Sequence, residues 1–305
     1  MDNLIETWRG EALAWEADEL GHMNMRFYFD RAHEARAALA HKLGMPAVYK
    51  ANALSTLAPT TQHIKYIKEV RPGHGMFVRS GVVELGAMDI TLIHMIYGHE
   101  GILSATILET LSHIAVRSHV QFGWSSRTQI LAQNYLVNIP DAAIPRNTDP
   151  KETPGTTTMD AADILDLQTI GRGTFKPSEC DVFGYVLPTA IIGRVSNSAQ
   201  HLKTGWPDLD FASDDGMSGA LLEACARHKN RPKAGDLYEM RSGLRSASHH
   251  VRELCHWILD PVSGKCWTSF VGVGCRFNLN TRRLVKVDDA TLALLNKGVV
   301  KDLKP

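Results

Sequence analysis

The sequence predicts an α+β chain in which one unit is written twice, each copy a long helix wrapped by a curved antiparallel sheet. Three observations predict it. Asp18-Glu19-Leu20-Gly21 recurs in pattern as Asp181-Val182-Phe183-Gly184, 163 positions on (181 − 18). Arg79-Ser80-Gly81 recurs as Arg241-Ser242-Gly243 after 162 positions (241 − 79), and Arg71-Pro72 as Arg231-Pro232 after 160 (231 − 71). Ordered matches at nearly constant spacing mark an internal duplication, and 305 residues suit two domains.

Residues 6–17, rich in Trp and small apolar side chains, read as a first strand that delivers Asp18 to a loop. Residues 26–43 then turn helical: Phe27, Ala32, Ala35, Leu39 and Leu43 fall near one face, and Gly44 stands where a helix C-cap would. Ala32, Ala35, Ala37, Ala38 and Ala40 keep this helix thin enough for a sheet to approach closely. Strands are expected at 61–67, 76–85, 90–97 and 102–116, the last two joined by a Gly98-His99-Glu100-Gly101 turn. In the second copy Pro188 leads into a helix over 189–202, strands cover 237–245, 250–259 and 266–279, and residues 260–264 make the matching hairpin. A short helix at 288–296 closes the chain. The expected domains are 1–138, a linker over 139–168 and 169–305; four prolines and a threonine run between 139 and 158 suggest a connection without a core of its own.

Balanced charge, 33 basic against 33 acidic residues, gives no global field for nucleic acid or anionic membrane. The N-terminus is acidic where a signal peptide would be basic, and no apolar run approaches the roughly 18 residues of a spanning helix. A cytoplasmic protein with a small-molecule partner is the expectation. The five cysteines show no metal-ligand spacing and read as reduced, mostly buried thiols; no metal and no cofactor are expected. Gly171-Arg172-Gly173 lacks the lysine of a phosphate loop and is a weak signal.

One strand, one long helix and an antiparallel meander make the hotdog arrangement, and a tandem copy would form an intrachain pseudo-dimer. Trp15-Glu16-Ala17-Asp18-Glu19-Leu20-Gly21-His22-Met23-Asn24, followed by Tyr28 and by Glu34-Ala35-Arg36, resembles the W-x-x-D-x-x-G-H-V-N-N-x-x-Y…E-A-R segment of hotdog acyl-CoA thioesterases of the 4-hydroxybenzoyl-CoA type. It is similar too to the Asp/His/Asn segment of acyl-carrier-protein thioesterases. The resemblance implies hydrolysis of an acyl-CoA, with Asp18 at the position of the family's carboxylate and His22 and Asn24 at its H-x-N positions. Met25 departs from the second asparagine. The resemblance also runs the strand that Thr60, Thr61 and His63 open past the acyl or pantetheine channel.

The residues carry a logic of their own. Thioester hydrolysis needs a group that attacks or deprotonates water and a donor for the carbonyl oxyanion. Asp18, in the loop before a helix, suits the first role, and backbone N–H groups near Met23 and Asn24 at the helix start suit the second. Gly21 lets the backbone turn sharply, His22 can polarise water or the leaving thiolate, and Asn24 can fix the water or the Asp18 carboxylate. Asp18 is also a residue type that makes turns and caps, and Tyr28 is a candidate for binding the substrate as well as a residue type that packs. Arg79 and Arg241 are candidates for the coenzyme A phosphates. Asp181 keeps the turn without polar neighbours, since Tyr185 and Leu187 replace His22 and Asn24, so the second site is expected to be degenerate. The alternatives are an acyl-carrier-protein thioesterase and a protein that binds acyl-CoA without hydrolysing it. A homo-oligomer of such chains is compatible with either.

Overall fold

A computed structural model describes residues 3–211, 213 and 215–305. Packing divides the chain into two compact units, Met1–Pro145 with Cys180–Ile192, and Arg146–Glu179 with Gly193–Pro305. This is not the division read from composition: the second D-x-x-G loop groups with the first unit.

The first unit holds β1 (Ile5–Glu11), α1 (Met25–Lys42), β2 (Ser55–Tyr66), β3 (Gly75–Leu85), β4 (Asp89–Tyr97), β5 (Leu103–Ala115) and α2 (Ser126–Gln133). Its strands run β1-β3-β4-β5-β2, every neighbour antiparallel. In α1 the Asn24 side chain caps the start by accepting from the Arg26 N–H, and Gly44, at φ +81°, takes the left-handed turn after the last residues. Ala32 and Ala35 are fully buried, so the helix lies close to the sheet, and Leu39 and Leu43 pack with Leu57, Val82, Ile90, Leu92 and Leu111.

The second unit holds α3 (Met159–Ile164), β6 (Gln168–Thr174), β7 (Met217–His228), β8 (Leu237–Ala247), β9 (Arg252–Leu259), β10 (Cys266–Asn278), β11 (Arg283–Leu284) and, near the C-terminus, α5 (Asp289–Lys297). Its main strands run β6-β8-β9-β10-β7, again antiparallel, with β11 on β10. The strand order is that of the first unit. The helix α4 (Pro188–Ser198) begins in the segment that groups with the first unit and ends in the second.

The copies repeat their buried polar contacts as well as their strands. Ser80 Oγ lies 2.7 Å from His94 Nδ1 across β3 and β4, and Ser242 Oγ lies 2.7 Å from His256 Nδ1 across β8 and β9. Among the described residues only the first pair meets a carboxylate: Glu109 on β5 receives His94 Nε2 at 3.0 Å, Gln62 Nε2 at 2.7 Å and Arg36 Nη1 at 2.9 Å, all buried. Burial by itself would raise the Glu109 pKa, but Arg36, His94 and Gln62 overcome it and hold the carboxyl down at about 2. The stretch expected as a coreless linker is packed. Ala143 is buried with Leu4, Ile93 and Met95, and the N–H groups of Arg146, Asn147 and Thr148 all donate to the buried Glu223 carboxylate.

Candidate active site

After β1 the chain makes a short 3-10 turn at Ala14–Glu16. The Glu16 carboxylate is buried there, 2.6 Å from Arg31 Nη2 of α1, while the Trp8 ring covers the guanidinium at 4.7 Å. Glu16 also accepts the Leu13 N–H at 3.0 Å, so one buried ion pair clamps the loop to the helix. Beyond the clamp Asp18 builds a turn from its own atoms. Its Oδ1 accepts the N–H groups of Leu20 at 3.0 Å and His22 at 3.2 Å, and its N–H donates to the His22 carbonyl at 2.8 Å. Gly21 sits at φ +76°, a conformation that costs a residue with a Cβ about 1 kcal/mol or more. The turn role foreseen for Asp18 is therefore filled by one oxygen, Oδ1.

Partial burial pushes the Asp18 carboxyl above its ordinary range, outweighing the N–H groups of His22 and Leu20 that favour the charged form. Tyr28, buried one turn into α1, places its hydroxyl 3.4 Å from Ser104 Oγ and its ring edge-on to Tyr66 at 5.2 Å. Burial raises the Tyr28 pKa, and the Asp18 charge raises it further. His22 is buried and turns Nε2 to Glu69, 3.1 Å away. No spacing in the sequence points to Glu69, which lies beyond the end of β2 and meets His22 only through the fold.

The oxyanion donors expected at Met23 and Asn24 are corrected by the structure. The Met23 N–H donates to the Val70 carbonyl at 2.8 Å and the Asn24 N–H to the Glu16 carbonyl at 2.8 Å. The N–H of Arg26 is taken by Asn24 Oδ1 at 3.1 Å and that of Phe27 by the Asn24 carbonyl at 3.0 Å. The donor that remains at this end of α1 is Met25, its first residue, where a helix leaves its N–H groups unpaired.

Asp18, Gly21, His22, Met23, Asn24 and Tyr28 thus share one corner of loop and helix. Thr60, Thr61 and His63 lie on β2: Thr60 Oγ1 donates to the Thr110 carbonyl at 3.0 Å beside a bulge, and His63 is buried opposite Leu108. The arginines expected at phosphate are engaged by protein acceptors. Arg79 donates to the Leu4 carbonyl at 2.7 Å, and Arg241, in the other unit, pairs with Glu239 and with Asp163 at 2.8 Å. Gly171-Arg172-Gly173 lies in β6 with Arg172 paired to Glu239. No disulfide joins the cysteines, and burial pushes the thiols of Cys225 and Cys266 up to about 11 and that of Cys255 up to about 12. Among the described residues no group of three metal-binding side chains converges and no helix is long and apolar enough to cross a membrane.

The second loop reproduces the first. Asp181 Oδ1 accepts the N–H groups of Phe183 at 2.9 Å and Tyr185 at 3.0 Å, Gly184 is at φ +82°, and Glu179 and Arg194 form the same clamp at 2.6 Å. It is less bare than the sequence suggests: Tyr185, at the position of His22, sets its hydroxyl 2.6 Å from His119 Nε2.

Residues 12–145 match the family described as the Thioesterase-like superfamily. Similar solved structures include an acyl-ACP thioesterase from Bacteroides thetaiotaomicron, 11% identical with a TM-score of 0.63, covering 89% of this chain and 98% of its own. A putative oleoyl thioesterase from Lactobacillus plantarum is 13% identical with a TM-score of 0.68, covering 89% and 95%. The 12:0-ACP thioesterase from Umbellularia californica is 8% identical with a TM-score of 0.64, covering 90% and 94%. No curated protein matches the chain in sequence. The fold is the hotdog fold of these structures, and the family match covers residues 12–145, which carry the Asp18 corner.

Proposed function

We propose that the protein is a cytoplasmic acyl-CoA thioesterase that needs no metal or cofactor and works at the Asp18 corner. The observation that carries this reading is a carboxylate with one oxygen fixed in a turn, partly withdrawn from water and set beside the N-terminus of a long helix. Asp18 acts as general base toward water or as nucleophile toward the thioester carbonyl. The Met25 N–H donates to the oxyanion, where a preorganised donor acts more strongly than water does. His22, held by Glu69, gives a proton to the departing thiolate, and Asn24 maintains the cap that presents Met25.

The full-length likeness to acyl-ACP thioesterases favours a second reading, in which the acyl group arrives on a carrier protein. Thiol release from matched panels of acyl-CoA and acyl-carrier-protein substrates separates the two. Asp18→Asn keeps an oxygen for the turn while removing the charge, and is expected to lower kcat by about 10²–10⁴, the range for a positioned acid or base. Binding of acyl-CoA with no thiol released from any substrate would make the chain a sensor instead, and full activity in Asp18→Asn would move the chemistry elsewhere.

A further inference from the structure

The offset that aligns the two loops also aligns the helix starts beyond them: Met25, the first residue of α1, corresponds to Pro188, the first residue of α4 (25 + 163). The match extends to the hydrogen bonds around it, since the Ala190 N–H donates to the Leu187 carbonyl as the Phe27 N–H does to that of Asn24. Proline suits the first position of a helix because the missing N–H has no intrahelical partner. At Met25 that same N–H is the proposed oxyanion donor. Its counterpart does not exist.

We infer that the second D-x-x-G loop is a latent site for the same thioester chemistry, silenced at Pro188. This rests on the reading of Asp18 given above. The loop retains a carboxylate in the same turn, and the acid that His22 supplies in the first copy is supplied by Tyr185 with His119 behind it, 2.6 Å away. Water attacks the thioester carbon while Asp181 takes its proton, the C–S bond breaks, and the thiolate takes a proton from Tyr185 that His119 replaces from solvent. The tetrahedral intermediate lacks a main-chain donor, and loss of one such donor lowers kcat by about 10²–10³. That suffices to hide the second loop beneath the first.

The test restores the donor where the first site is off. In the full-length Asp18→Asn protein, Pro188→Ala, and separately Pro188→Met, should raise thiol release from the best acyl-CoA by about 10²-fold. Adding Asp181→Asn or Tyr185→Phe should remove the gain. Thermal melting of each variant shows that it is folded. Folded variants with no gain in either substitution, or a gain that survives Asp181→Asn, would overturn the inference while leaving the Asp18 reading intact. A wild-type protein that releases no thiol from any substrate would instead overturn the thioesterase reading beneath it.

Discussion

At the residue scale the proposed role of Asp18 carries a pH dependence. Partial burial raises its pKa, so kcat/KM should fall with acid through a midpoint above the ordinary aspartate value of about 3.9. The same shift has a sign for stability. The folded state holds this proton more tightly than the unfolded chain, so stability is lost as pH rises from the ordinary value through the raised one. Asp18→Asn, which keeps the turn acceptor and carries no charge, should therefore leave the melting temperature at pH 7 unchanged or slightly higher. A drop of several degrees would mean that the charge itself holds the loop. Asp18, Gly21, His22, Asn24 and Tyr28 are legible in the sequence because turn, cap and carboxylate all lie within one short stretch of chain. Glu69, His119 and Met25 are not: the first two reach the loops only through the fold, and the role proposed for the third is that of its main chain, which side-chain patterns do not record.

At the element scale, β4 and β5 carry a charge network that strand patterns do not reveal. Glu109→Gln leaves the Arg36 guanidinium buried without its counter-charge, and should lower stability by about 3–5 kcal/mol in chemical denaturation at pH 7. Because the Glu109 pKa is depressed to about 2, its contribution is present above the ordinary value of about 4.3 and fades as pH falls toward 2. An acid titration of wild type should show that loss, and Glu109→Gln should lack it. Strands with alternating or continuous β-branched and aromatic residues are readable, and α1 is readable from its alanine face. By contrast β7 reads Met-Ser-Gly-Ala-Leu-Leu-Glu-Ala-Cys-Ala-Arg-His and β6 carries two glycines in seven residues. Small residues give little β-propensity, so pairing with neighbouring strands, not local preference, makes these segments extended.

At the scale of the whole molecule, the stretch between the copies escapes a reading from composition because proline and threonine content reports stiffness and polarity, not hydrogen bonding. Glu223 gathers three successive N–H groups from residues 146–148 and the Thr148 hydroxyl, which ties that stretch to β7. Glu223→Ala should free it, so that trypsin cuts after Arg146 or Lys151 under native conditions at least several-fold faster than in wild type, as expected when backbone bonds no longer suppress local opening. Equal cleavage rates would show that other contacts hold the segment. The clamps Glu16–Arg31 and Glu179–Arg194 have a different consequence. Each ties its loop to the following helix by an ion pair, and the main-chain bonds of the turn are the same in both copies, so the turn forms with either histidine or tyrosine at the matching position 22 or 185. A gene that duplicates such a unit acquires a socket whose main chain accepts two different side chains, each with its own partner, Glu69 in one copy and His119 in the other. Histidine in one copy and tyrosine in the other are two settings of the same socket, and new chemistry can arise there by single substitutions.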